Sequence, residues 1–356
     1  VATAGHLRLD HHRADRDLRA RLRLGVIGLT KLAPGVGNVA LAERPEPVVR
    51  AGQVVVEVLA AGICGTDLHI TDGEYPTVTP VTMGHEVSGV VVEVGADVDE
   101  SWLGARVASE TYFSTCGRCA LCRSGRVNLC AERRSIGTHV DGAFAPRLLV
   151  PVTSLHRLPD WLDGRAAALC EPLACVCHSA LEPEAVVGAG GDVLVVGPGP
   201  VGLLAAQVAR AVGGSVHVRG TPRDDRRLAV ARELGFETST TDDKPVEADV
   251  VIECSGSEAG MGAGLAAARR GGRYVQIGLA GKPVTLPLDL VCFHELRITS
   301  GFASTPSSWR SALELIRERR VELDPLLTEV VPLAEWERAF AATRAAEGIK
   351  FALDPS

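Results

Sequence analysis

Four cysteines spaced C-x2-C-x2-C-x7-C constrain this chain more than any other sequence feature; they are Cys116, Cys119, Cys122 and Cys130. Thiolates are soft ligands, and four that converge on one point make a closed tetrahedral zinc site. Two alternatives remain open. Cysteines three apart in a tight loop rarely reach unstrained disulfide geometry, and iron–sulfur clusters usually use other spacings. A closed site is structural, so the lobe at residues 116–130 predicts a bound zinc and leaves the chemistry to other residues.

Length and charge limit the class of protein. At 356 residues the chain is long enough for two domains, each with its own core. The formal net charge of −7 disfavours nucleic acid or an anionic membrane as the main partner. No apolar run in the sequence approaches the length needed to cross a bilayer. Five of the ten cysteines lie in apolar surroundings, where buried free thiols are usual, so we expect a reducing, cytoplasmic setting.

The first 23 residues differ in composition from the rest of the chain. They are rich in arginine and histidine, and they contain no apolar core of the kind that a signal peptide needs. We therefore predict that residues 1–23 form a disordered basic extension, with a basic docking arm as the less favoured alternative.

A β-rich domain is predicted to follow this extension. From residue 25 to about residue 155, short apolar runs are broken by glycine and proline, the pattern of strands joined by exposed loops. Loops of this kind often carry ligands. The predicted strands are residues 54–59, 87–94, 106–108, 143–150 and 155–158.

After residue 160 the pattern changes to alternating helices and strands. Such alternation predicts a parallel sheet covered by helices on both faces, and Asp192–Val196 (DVLVV) has the continuous apolar character of a buried parallel strand. The other predicted strands are residues 215–218, 250–253 and 273–277, with a short return strand at the C-terminus. The predicted helices are residues 166–181, 203–212, 226–234, 263–268, 309–319 and 333–344.

A glycine-rich turn lies between the first of these strands and the next helix. Gly197, Gly199 and Gly202 form a G-x-G-x-x-G sequence that encloses Pro200 and Val201. In a strand–turn–helix context this sequence predicts a dinucleotide site. The first glycine permits the tight turn, the second admits the pyrophosphate, and the third lets helix and strand pack closely. The alternative is a turn that serves packing only.

The end of the following strand bears on the choice between NAD and NADP. An acidic residue usually stands there for the ribose hydroxyls, whereas this chain has Gly220 with arginines nearby. A carboxylate would repel a 2′-phosphate and a small residue near arginines accepts one, so the sequence favours NADP. Asp224 and Asp225 follow closely and keep NAD open. The cofactor-binding candidates here are Arg219, Gly220, Thr221 and Arg223, with Gly278 further along the chain.

Upstream of the cysteine lobe, two separate loops offer the mixed ligands of a second metal site. Cys64 supplies a sulfur and His85 an imidazole, a combination found in open catalytic zinc sites. A carboxylate completes such a set, and either Glu86, next to His85, or Glu171, before Pro172, is available. Taken singly, Cys64 is equally well interpreted as a core thiol and His85 as a buried histidine.

Together and in this order, the motifs resemble the zinc-dependent medium-chain dehydrogenase/reductase family of the alcohol dehydrogenase superfamily. The resemblance runs from about residue 25 to the C-terminus. It rests on the C-G-T-D-x-H run at residues 64–69, the G-H-E run at 84–86, the four-cysteine lobe, the E-P pair at 171–172 and the glycine-rich turn. Within the family the chain is most similar to the polyol branch, the sorbitol and L-iditol dehydrogenases, with threonine and glucose dehydrogenases as relatives.

The resemblance implies an α/β fold with two domains. A GroES-like β-rich catalytic domain would comprise residues 24–173 and 304–356, and a Rossmann domain with a doubly wound parallel sheet would comprise residues 174–303. The active site would lie in the cleft. The family also implies two zinc ions per chain, one catalytic and one structural, with NADP or NAD as cofactor. An alcohol or ketone substrate and a homotetramer or homodimer are expected.

The resemblance also assigns roles to individual residues. Zinc would act as a Lewis acid on the substrate oxygen while hydride passes to the nicotinamide. Thr66 would take the substrate proton, His69 would relay it to solvent, and Asp67 would orient the histidine ligand. Glu171 would bind the metal directly or through water, and Cys175 is a reserve ligand. The implied catalytic zinc ligands are Cys64, His85, Glu86 and Glu171.

One departure from the polyol branch bears on the substrate. Polyol dehydrogenases carry an Arg-Tyr pair just after a G-x-F segment, where residues 301–305 of this chain read GFAST. A cation that would bind hydroxyl groups is therefore absent from that segment of the sequence. Other secondary alcohols remain open, including an amino-sugar, a deoxy-sugar or a cyclitol. Tyr75, Phe113 and Trp309 are candidate pocket residues or, equally, core aromatics.

Activities other than polyol oxidation also remain open. Within the family, threonine or glucose dehydrogenase-like activity and simple alcohol dehydrogenase activity are alternatives. An NADPH-dependent reductase of activated double bonds is disfavoured, because relatives of that type typically lack both zinc sites. A non-enzymatic binding or structural protein that retains the fold is disfavoured by the intact catalytic residues.

Overall fold

The computed structural model describes residues 25–356, so the extension predicted at residues 1–23 lies outside the described residues. The strands are Gly25–Lys31 (β1), Val39–Pro45 (β2), Gln53–Gly62 (β3), Val81–Thr82 (β4), Glu86–Val94 (β5), Arg106–Ser109 (β6), Tyr112–Ser114 (β7), Arg134–Ser135 (β8), Arg147–Pro151 (β9), Leu155–Arg157 (β10), Asp192–Val196 (β11), Ser215–Gly220 (β12), Glu237–Thr240 (β13), Ala248–Glu253 (β14), Ala268–Gln276 (β15), Arg297–Ser300 (β16), Leu327–Pro332 (β17) and Lys350–Asp354 (β18).

The α-helices are Gly65–Thr71 (α1), Ala120–Arg123 (α2), Cys170–Leu181 (α3), Pro200–Ala211 (α4), Asp225–Glu233 (α5), Glu258–Ala267 (α6), Asp289–Phe293 (α7), Pro306–Arg317 (α8) and Trp336–Arg344 (α9). Short 3-10 turns occur at Glu100–Trp102, Val127–Leu129, Val152–Ser154, Ala166–Leu169, Pro222–Asp224, Asp324–Leu326 and Leu333–Glu335. No helix within residues 25–356 combines the length and the apolar character that a membrane span requires.

A mixed sheet joins the N-terminal half of the chain to its C-terminus. The strands follow the order β10-β6-β5-β3-β18-β17, and β9 pairs with β3 as well. β3 reads QVVVEVLAAG and is buried along most of its length, since neighbouring strands and core side chains cover it. The last strand, β18, pairs antiparallel with the end of β3. This pairing brings residues 350–354 next to the loops in which we predicted the catalytic ligands.

The second sheet is entirely parallel, with the order β13-β12-β11-β14-β15-β16. β11 lies in the middle and four of its five residues are buried, as its continuous apolar sequence predicts. The strand order changes direction beside β11, because β12 and β13 lie on one side of it and β14 to β16 on the other. Ligands of such sheets bind at this switch point, beyond the carboxyl ends of the strands.

Two main apolar cores hold these sheets in place. One contains Val54, Phe144 and Phe351 and is formed by side chains of the mixed sheet and of the segments that pack on it. The other packs helices α3, α4 and α8 with the parallel sheet, and it contains the fully buried Trp309. Helix α8, which we assigned to the catalytic domain, therefore shares its core with helices near the nucleotide-binding sheet. The domain boundaries at residues 173/174 and 303/304 stay a prediction.

Several predicted element boundaries differ from the structure. Residues 143–146 are not part of a strand; instead Phe144 hydrogen-bonds through its backbone to Leu29 and Met83, and β9 begins at Arg147. The helix predicted at residues 263–268 begins earlier, at Glu258, because Ser257 caps its N-terminus by accepting from the N–H of Gly260. The start of this helix is difficult to predict from sequence, because its glycines have low helix propensity.

Candidate active site

Two antiparallel strands bring the predicted metal ligands together. β3 ends at Gly62 and β5 begins at Glu86, and these two residues face each other across the sheet. Cys64 follows the end of β3 and His85 precedes the start of β5, so both loops leave the sheet at the same edge. The sulfur of Cys64, a ring nitrogen of His85 and a carboxylate oxygen of Glu86 all lie within 4.8 Å of one another.

Glu86 also belongs to a buried ion pair that the sequence did not predict. Lys350, the first residue of β18, donates from Nζ to the two carboxylate oxygens of Glu86 at 2.8 and 2.7 Å and to the carbonyl of Ile63 at 3.0 Å. Burial lowers the pKa of Lys350, but Glu86 and its neighbours raise it above the ordinary value, so the ammonium stays charged. A Cβ on Gly62 would collide with Oε2 of Glu86, so glycine makes room for this pair.

Asp67 is fully buried and faces the second ring nitrogen of His85. Its Oδ2 accepts a hydrogen bond from the N–H of Cys64 at 2.9 Å, and its Oδ1 lies 3.8 Å from Nδ1 of His85. Neither Oδ1 nor Nδ1 has a hydrogen-bond partner among the described residues. Burial lowers the pKa of His85, but Asp67, Cys64 and Glu171 raise it well above its ordinary value. A proton held on the Nδ1 side leaves Nε2 available to a metal.

These residues fit a catalytic zinc ion. Thiolate, imidazole and carboxylate donors converge from separate elements, and Cys64, His85 and Glu86 all line one open cleft. A buried carboxylate behind the ring of a histidine ligand is the arrangement that fixes the ring in place, and Asp67 supplies it. Because neighbouring groups raise the pKa of His85, zinc and a proton would compete for this imidazole.

Glu171 lines the same cleft but is not one of the three donors that lie within 4.8 Å of one another. It stands in the first turn of α3, and burial raises its pKa to about 7 against the lowering effect of His85. The thiol of Cys175 donates to Oε1 of Glu171 at 3.2 Å. Burial, followed by the charge of Glu171, raises the pKa of Cys175 well above its ordinary value. Cys175 is not among the donors that lie within 4.8 Å of one another, which weakens the case for it as a reserve ligand.

Thr66 and His69 line the same cleft from helix α1. The helix begins immediately after Cys64, which serves as its N-cap residue, so the metal loop also positions the helix. Nδ1 of His69 lies 2.6 Å from Oε2 of Glu74, and both side chains are partly exposed. Because Thr66 and His69 are three residues apart on a helix, they share one face. The hydroxyl of Thr66 and the imidazole of His69 therefore lie on the cleft side of α1, and the imidazole is partly exposed to solvent.

The four lobe cysteines form a second compact cluster. Their sulfurs lie within 4.8 Å of one another, and those of Cys116 and Cys122 are 3.9 Å apart. Zn–S bonds of about 2.3 Å in a tetrahedron place sulfurs ~3.8 Å apart, whereas a disulfide places them about 2.05 Å apart. All of these cysteines are free, so the disulfide alternative is wrong. Hydrogen bonds from the backbone N–H groups of Arg118 and Cys119 lower the pKa of Cys116 to about 6, whereas burial raises the pKa of Cys122 to about 11.

The glycine-rich turn has the geometry of a dinucleotide site. Gly197 leaves β11 with a φ of +98°, a left-handed conformation that favours glycine, and a Cβ there would meet the backbone of Ser255 at 2.8 Å. A Cβ on Gly202 would collide with the carbonyl oxygen of Gly197. The turn and the start of α4 therefore pack so closely that only glycine is accommodated at either position.

Space for a phosphate remains at Gly199. The nearest atom to a Cβ there is Nη1 of Arg227, at 3.9 Å, so a guanidinium faces the turn. Arg227 is held by a hydrogen bond from its Nε to the carbonyl of Gly348 at 2.8 Å. We did not predict this arginine, because it lies in α5, several residues beyond the segment where a cofactor contact was sought. Of the remaining predicted cofactor residues, Pro200 begins α4, and Val201 and Gly278 line the cleft.

The segment after β12 carries the predicted determinants of cofactor choice. Gly220 ends the strand, and a Cβ there would lie 3.1 Å from Cβ of Asp224. Asp224 is occupied with Thr221, whose N–H and hydroxyl donate to it at 2.8 and 2.7 Å. Arg219 donates to the carbonyls at residues 243 and 244, both at 3.0 Å, and is therefore held against that loop. Arg223 and Asp225 are exposed.

The metal donors line a cleft of about 350 Å³ together with Val201, which follows the glycine-rich turn at the start of α4. Tyr75 lines this cleft, whereas Phe113 lines a separate cavity on the β-rich side. Trp309 is fully buried and stacks on His156 with ring centroids 4.6 Å apart, so its interpretation as a core aromatic is correct. The cleft also contains Arg133, which we did not predict.

Comparison with known proteins agrees with this geometry. The profile of the alcohol dehydrogenase GroES-like domain matches residues 50–160, and that of the zinc-binding dehydrogenase matches residues 200–318. A sorbitol dehydrogenase from Halalkalibacterium halodurans is 39% identical over 340 residues, covering 92% of this chain and 98% of that protein. A D-arabitol-phosphate dehydrogenase from Enterococcus avium is 36% identical over 342 residues, covering 92% and 97%. The crystal structure of a zinc-binding dehydrogenase from Sinorhizobium meliloti bound to NADP has a TM-score of 0.84 and 33% identity, covering 94% of this chain and 100% of that one.

Fold and site together define a zinc-dependent alcohol oxidoreductase. The chain belongs to the zinc-dependent medium-chain dehydrogenase/reductase family of the alcohol dehydrogenase superfamily, and the relatives just described confirm its similarity to the polyol branch. The predicted α/β fold, with a GroES-like domain and a Rossmann parallel sheet, is confirmed as well.

Proposed function

We propose that this enzyme oxidises a secondary alcohol of a polyol-type substrate, or reduces the corresponding ketone, with two zinc ions per chain and NADP as the preferred cofactor. The observation that carries the proposal is the convergence of Cys64, His85 and Glu86 within 4.8 Å on a cleft that is also lined by Val201 of the glycine-rich sequence and by Gly278. A hydride can be exchanged only where the alcohol carbon and the nicotinamide meet, and one cleft serves both.

Each residue of the cleft has a role in this proposal. Cys64, His85 and Glu86 would hold the catalytic zinc, with Glu171 reaching it through a water molecule. When bound, zinc supplies a Lewis acid that polarises the substrate oxygen. Thr66 would accept the hydrogen bond of the substrate hydroxyl and His69 would pass the proton to solvent, since both line the cleft and His69 is partly exposed. Among the supporting residues, Asp67 orients His85 and Lys350 neutralises Glu86.

The second zinc would occupy the four-cysteine lobe. The proposal rests on the sulfur separation of 3.9 Å, on the backbone N–H groups that point at the sulfurs, and on the absence of disulfides among the cysteines of residues 25–356. This zinc has no open position and takes no part in the chemistry. Its role is to stabilise a loop segment that contains little secondary structure of its own.

Preference for NADP is supported by Gly220, while Arg227 faces the turn that would hold the pyrophosphate of either cofactor. Gly220 presents no carboxylate to repel a 2′-phosphate, and Arg227 places a guanidinium beside the glycine-rich turn. The related Sinorhizobium meliloti structure was solved with NADP bound. We expect Gly220→Asp to lower the ratio of kcat/KM with NADP to kcat/KM with NAD by about tenfold, because of charge repulsion. Gly220→Ala is the steric control, and an equal shift in that variant would contradict the electrostatic explanation.

The substrate class follows from the relatives and from the polar lining of the cleft. Relatives of this chain are named sorbitol dehydrogenase, D-arabitol-phosphate dehydrogenase and D-xylulose reductase A, the last from Aspergillus oryzae. Other relatives are named L-threonine 3-dehydrogenase. Threonine dehydrogenase activity is therefore the second candidate function. Hydroxyl side chains at Thr111, Ser135 and Thr138 line the cleft and suit a polyhydroxylated substrate better than an apolar alcohol.

A homotetramer or homodimer is also proposed. Strand β16 forms an edge of the parallel sheet, and its four residues are exposed. Phe293 and Ile298 are 66% and 46% exposed on or next to this edge. An unprotected edge strand with apolar neighbours pairs readily with a second copy. The reducing, cytoplasmic setting inferred from the free cysteines stays a prediction.

Two measurements on the purified protein test the proposed function. The first is a screen of NADP and NAD reduction by absorbance with polyols, cyclitols, aldoses, threonine and simple secondary alcohols, in which we expect the fastest turnover with a polyol. The second is zinc analysis, in which we expect about two ions per chain. About one zinc per chain and no turnover would instead support a structural protein that retains the fold.

A further inference from the structure

Arg133 is the one arginine or lysine among the residues that line the described cleft. It lies three residues beyond Cys130, the last cysteine of the lobe, and its backbone N–H donates to the carbonyl of that cysteine at 3.1 Å. The guanidinium of Arg133, just after the lobe, therefore lies at the wall of the cleft. Residues 301–303 line the same cleft and carry no charged side chain.

The guanidinium of Arg133 is held in position by three contacts. Nη1 donates to the carbonyl of Asn128 at 2.8 Å. The guanidinium carbon lies 4.9 Å from the ring centroid of Phe302 and 5.6 Å from that of Tyr112. Stacking on two rings restricts the side chain and leaves its remaining N–H groups free to bind. Asn128 is itself fixed, since its side-chain amide donates to the carbonyl of Phe302 at 2.9 Å.

The charge of Arg133 is not neutralised within the described part of the chain. No carboxylate between residues 25 and 356 forms an ion pair with it, and the neighbouring Glu132 instead approaches Arg118 at 3.5 Å. The hydroxyl of Tyr112 is also committed, because it donates to the carbonyl of Ser304. A partly buried, immobilised guanidinium without a counter-ion is suited to an anionic ligand.

We propose that Arg133 binds the terminal phosphate of a phosphorylated acyclic polyol, so that the enzyme prefers a polyol phosphate to the free polyol. This inference rests on the proposed function and specifies its substrate. A guanidinium presents a planar fork of N–H donors that matches phosphate oxygens, and Ser135 and Thr138 supply hydroxyl groups along the same cleft. The metal site would take the secondary alcohol while Arg133 takes the phosphate at the other end of the molecule.

The test compares Arg133→Gln and Arg133→Lys with the wild-type holoenzyme. The substrates are matched pairs: D-arabitol and D-arabitol 5-phosphate, and sorbitol and sorbitol 6-phosphate. We expect the wild type to favour the esters by about tenfold or more in kcat/KM, and Arg133→Gln to lower kcat/KM for the esters by about 30-fold. For the free polyols, Arg133→Gln should change kcat/KM by less than about threefold. Arg133→Lys should lower kcat/KM for the esters less than Arg133→Gln does, because lysine keeps the positive charge but lacks the planar fork of N–H donors.

Arg134→Gln is the matched control. Arg134 is exposed, is adjacent in sequence, and donates only to the carbonyl of His139 among its described contacts, so its replacement should leave the ester preference unchanged. A second readout is calorimetric titration of the zinc-loaded, cofactor-saturated protein with sorbitol 6-phosphate, and with gluconate as a carboxylate of similar size. We expect the ester to bind and gluconate to bind more weakly.

The outcomes separate this inference from the proposed function. Ester binding that Arg133→Gln abolishes, without turnover of any polyol, would support the phosphate site and refute the proposed oxidoreduction of polyols. Equal losses of kcat/KM on esters and free polyols would show that Arg133 is structural and would overturn the inference. Equal ester affinity in wild type and Arg133→Gln, or tighter binding of gluconate than of the ester, would overturn it as well.

Discussion

The two proposed metal sites of this enzyme differ in how the chain builds them. The lobe takes its four ligands from residues 116–130, and backbone N–H groups of the same segment point at the sulfurs. The catalytic site takes Cys64 from the end of one strand and His85 and Glu86 from the start of another, and it depends on Lys350 from the last strand. One site is local, whereas the other exists only when the mixed sheet has formed.

This difference has consequences for stability and for chemistry. A closed local site can use all of its binding free energy to order its own loop. The open catalytic site must keep charged groups buried and a position free for substrate, so part of the fold is needed to support it. We therefore expect damage to the catalytic site to remove activity while the lobe persists, and damage to the lobe to lower stability while the chemistry largely persists.

The largest expected effect comes from Cys64→Ser. Loss of the thiolate should remove the catalytic zinc and lower kcat/KM by about 10⁴-fold, since a Lewis acid contributes several kcal/mol to transition-state stabilisation. Zinc analysis should give about one ion per chain instead of about two, and circular dichroism should show an unchanged fold. Cys292→Ser is the matched control, because Cys292 is exposed and free. Full activity of Cys64→Ser would refute the proposed metal site.

The same contrast explains what could be predicted from sequence. The four cysteines and the glycine-rich turn are short-range patterns, and the resemblance they carry led to Cys64 and His85. Lys350 was missed because it lies 264 residues from Glu86, and a lysine in a short C-terminal strand gives no signal of a buried partner. Arg133 was missed because the direction of the lobe relative to the cleft depends on tertiary packing. The boundaries of α6 were missed because glycines weaken its helical pattern.

The second prediction concerns the support that the last strand gives to the catalytic site. In protein depleted of the catalytic zinc, Lys350→Met should lower the free energy of unfolding by about 3–5 kcal/mol, because the buried carboxylate of Glu86 then has neither the metal nor the ammonium as a partner. Urea denaturation measures the loss. Lys282→Gln, at an exposed position, is the control. The double variant Glu86→Gln/Lys350→Met should recover much of the lost stability, and a double variant less stable than Lys350→Met would show that the pair is not the cause.

A smaller effect is expected when the lobe is damaged. Cys119→Ser should remove the structural zinc and lower the Tm by roughly 10 °C, since the lobe then loses the binding free energy that orders it. Activity measured well below the Tm should fall far less than in Cys64→Ser, because Cys119 contacts other lobe cysteines and does not line the catalytic cleft. Differential scanning calorimetry and zinc analysis provide the measurements. Loss of both zinc ions in this variant would show that the two sites are coupled.

The smallest effect is expected from Cys175→Ala, which tests whether Cys175 is a ligand of the catalytic zinc. The thiol donates to Glu171 and lies outside the donor group of Cys64, His85 and Glu86, so it should not bind zinc, and its removal should change kcat/KM by less than about threefold. The zinc content should remain about two per chain. If Cys175→Ala instead lost the catalytic zinc, the open site would contain two thiolates. The catalytic site would then resemble the lobe in its donors, and the contrast would lie only in the long-range assembly of its ligands.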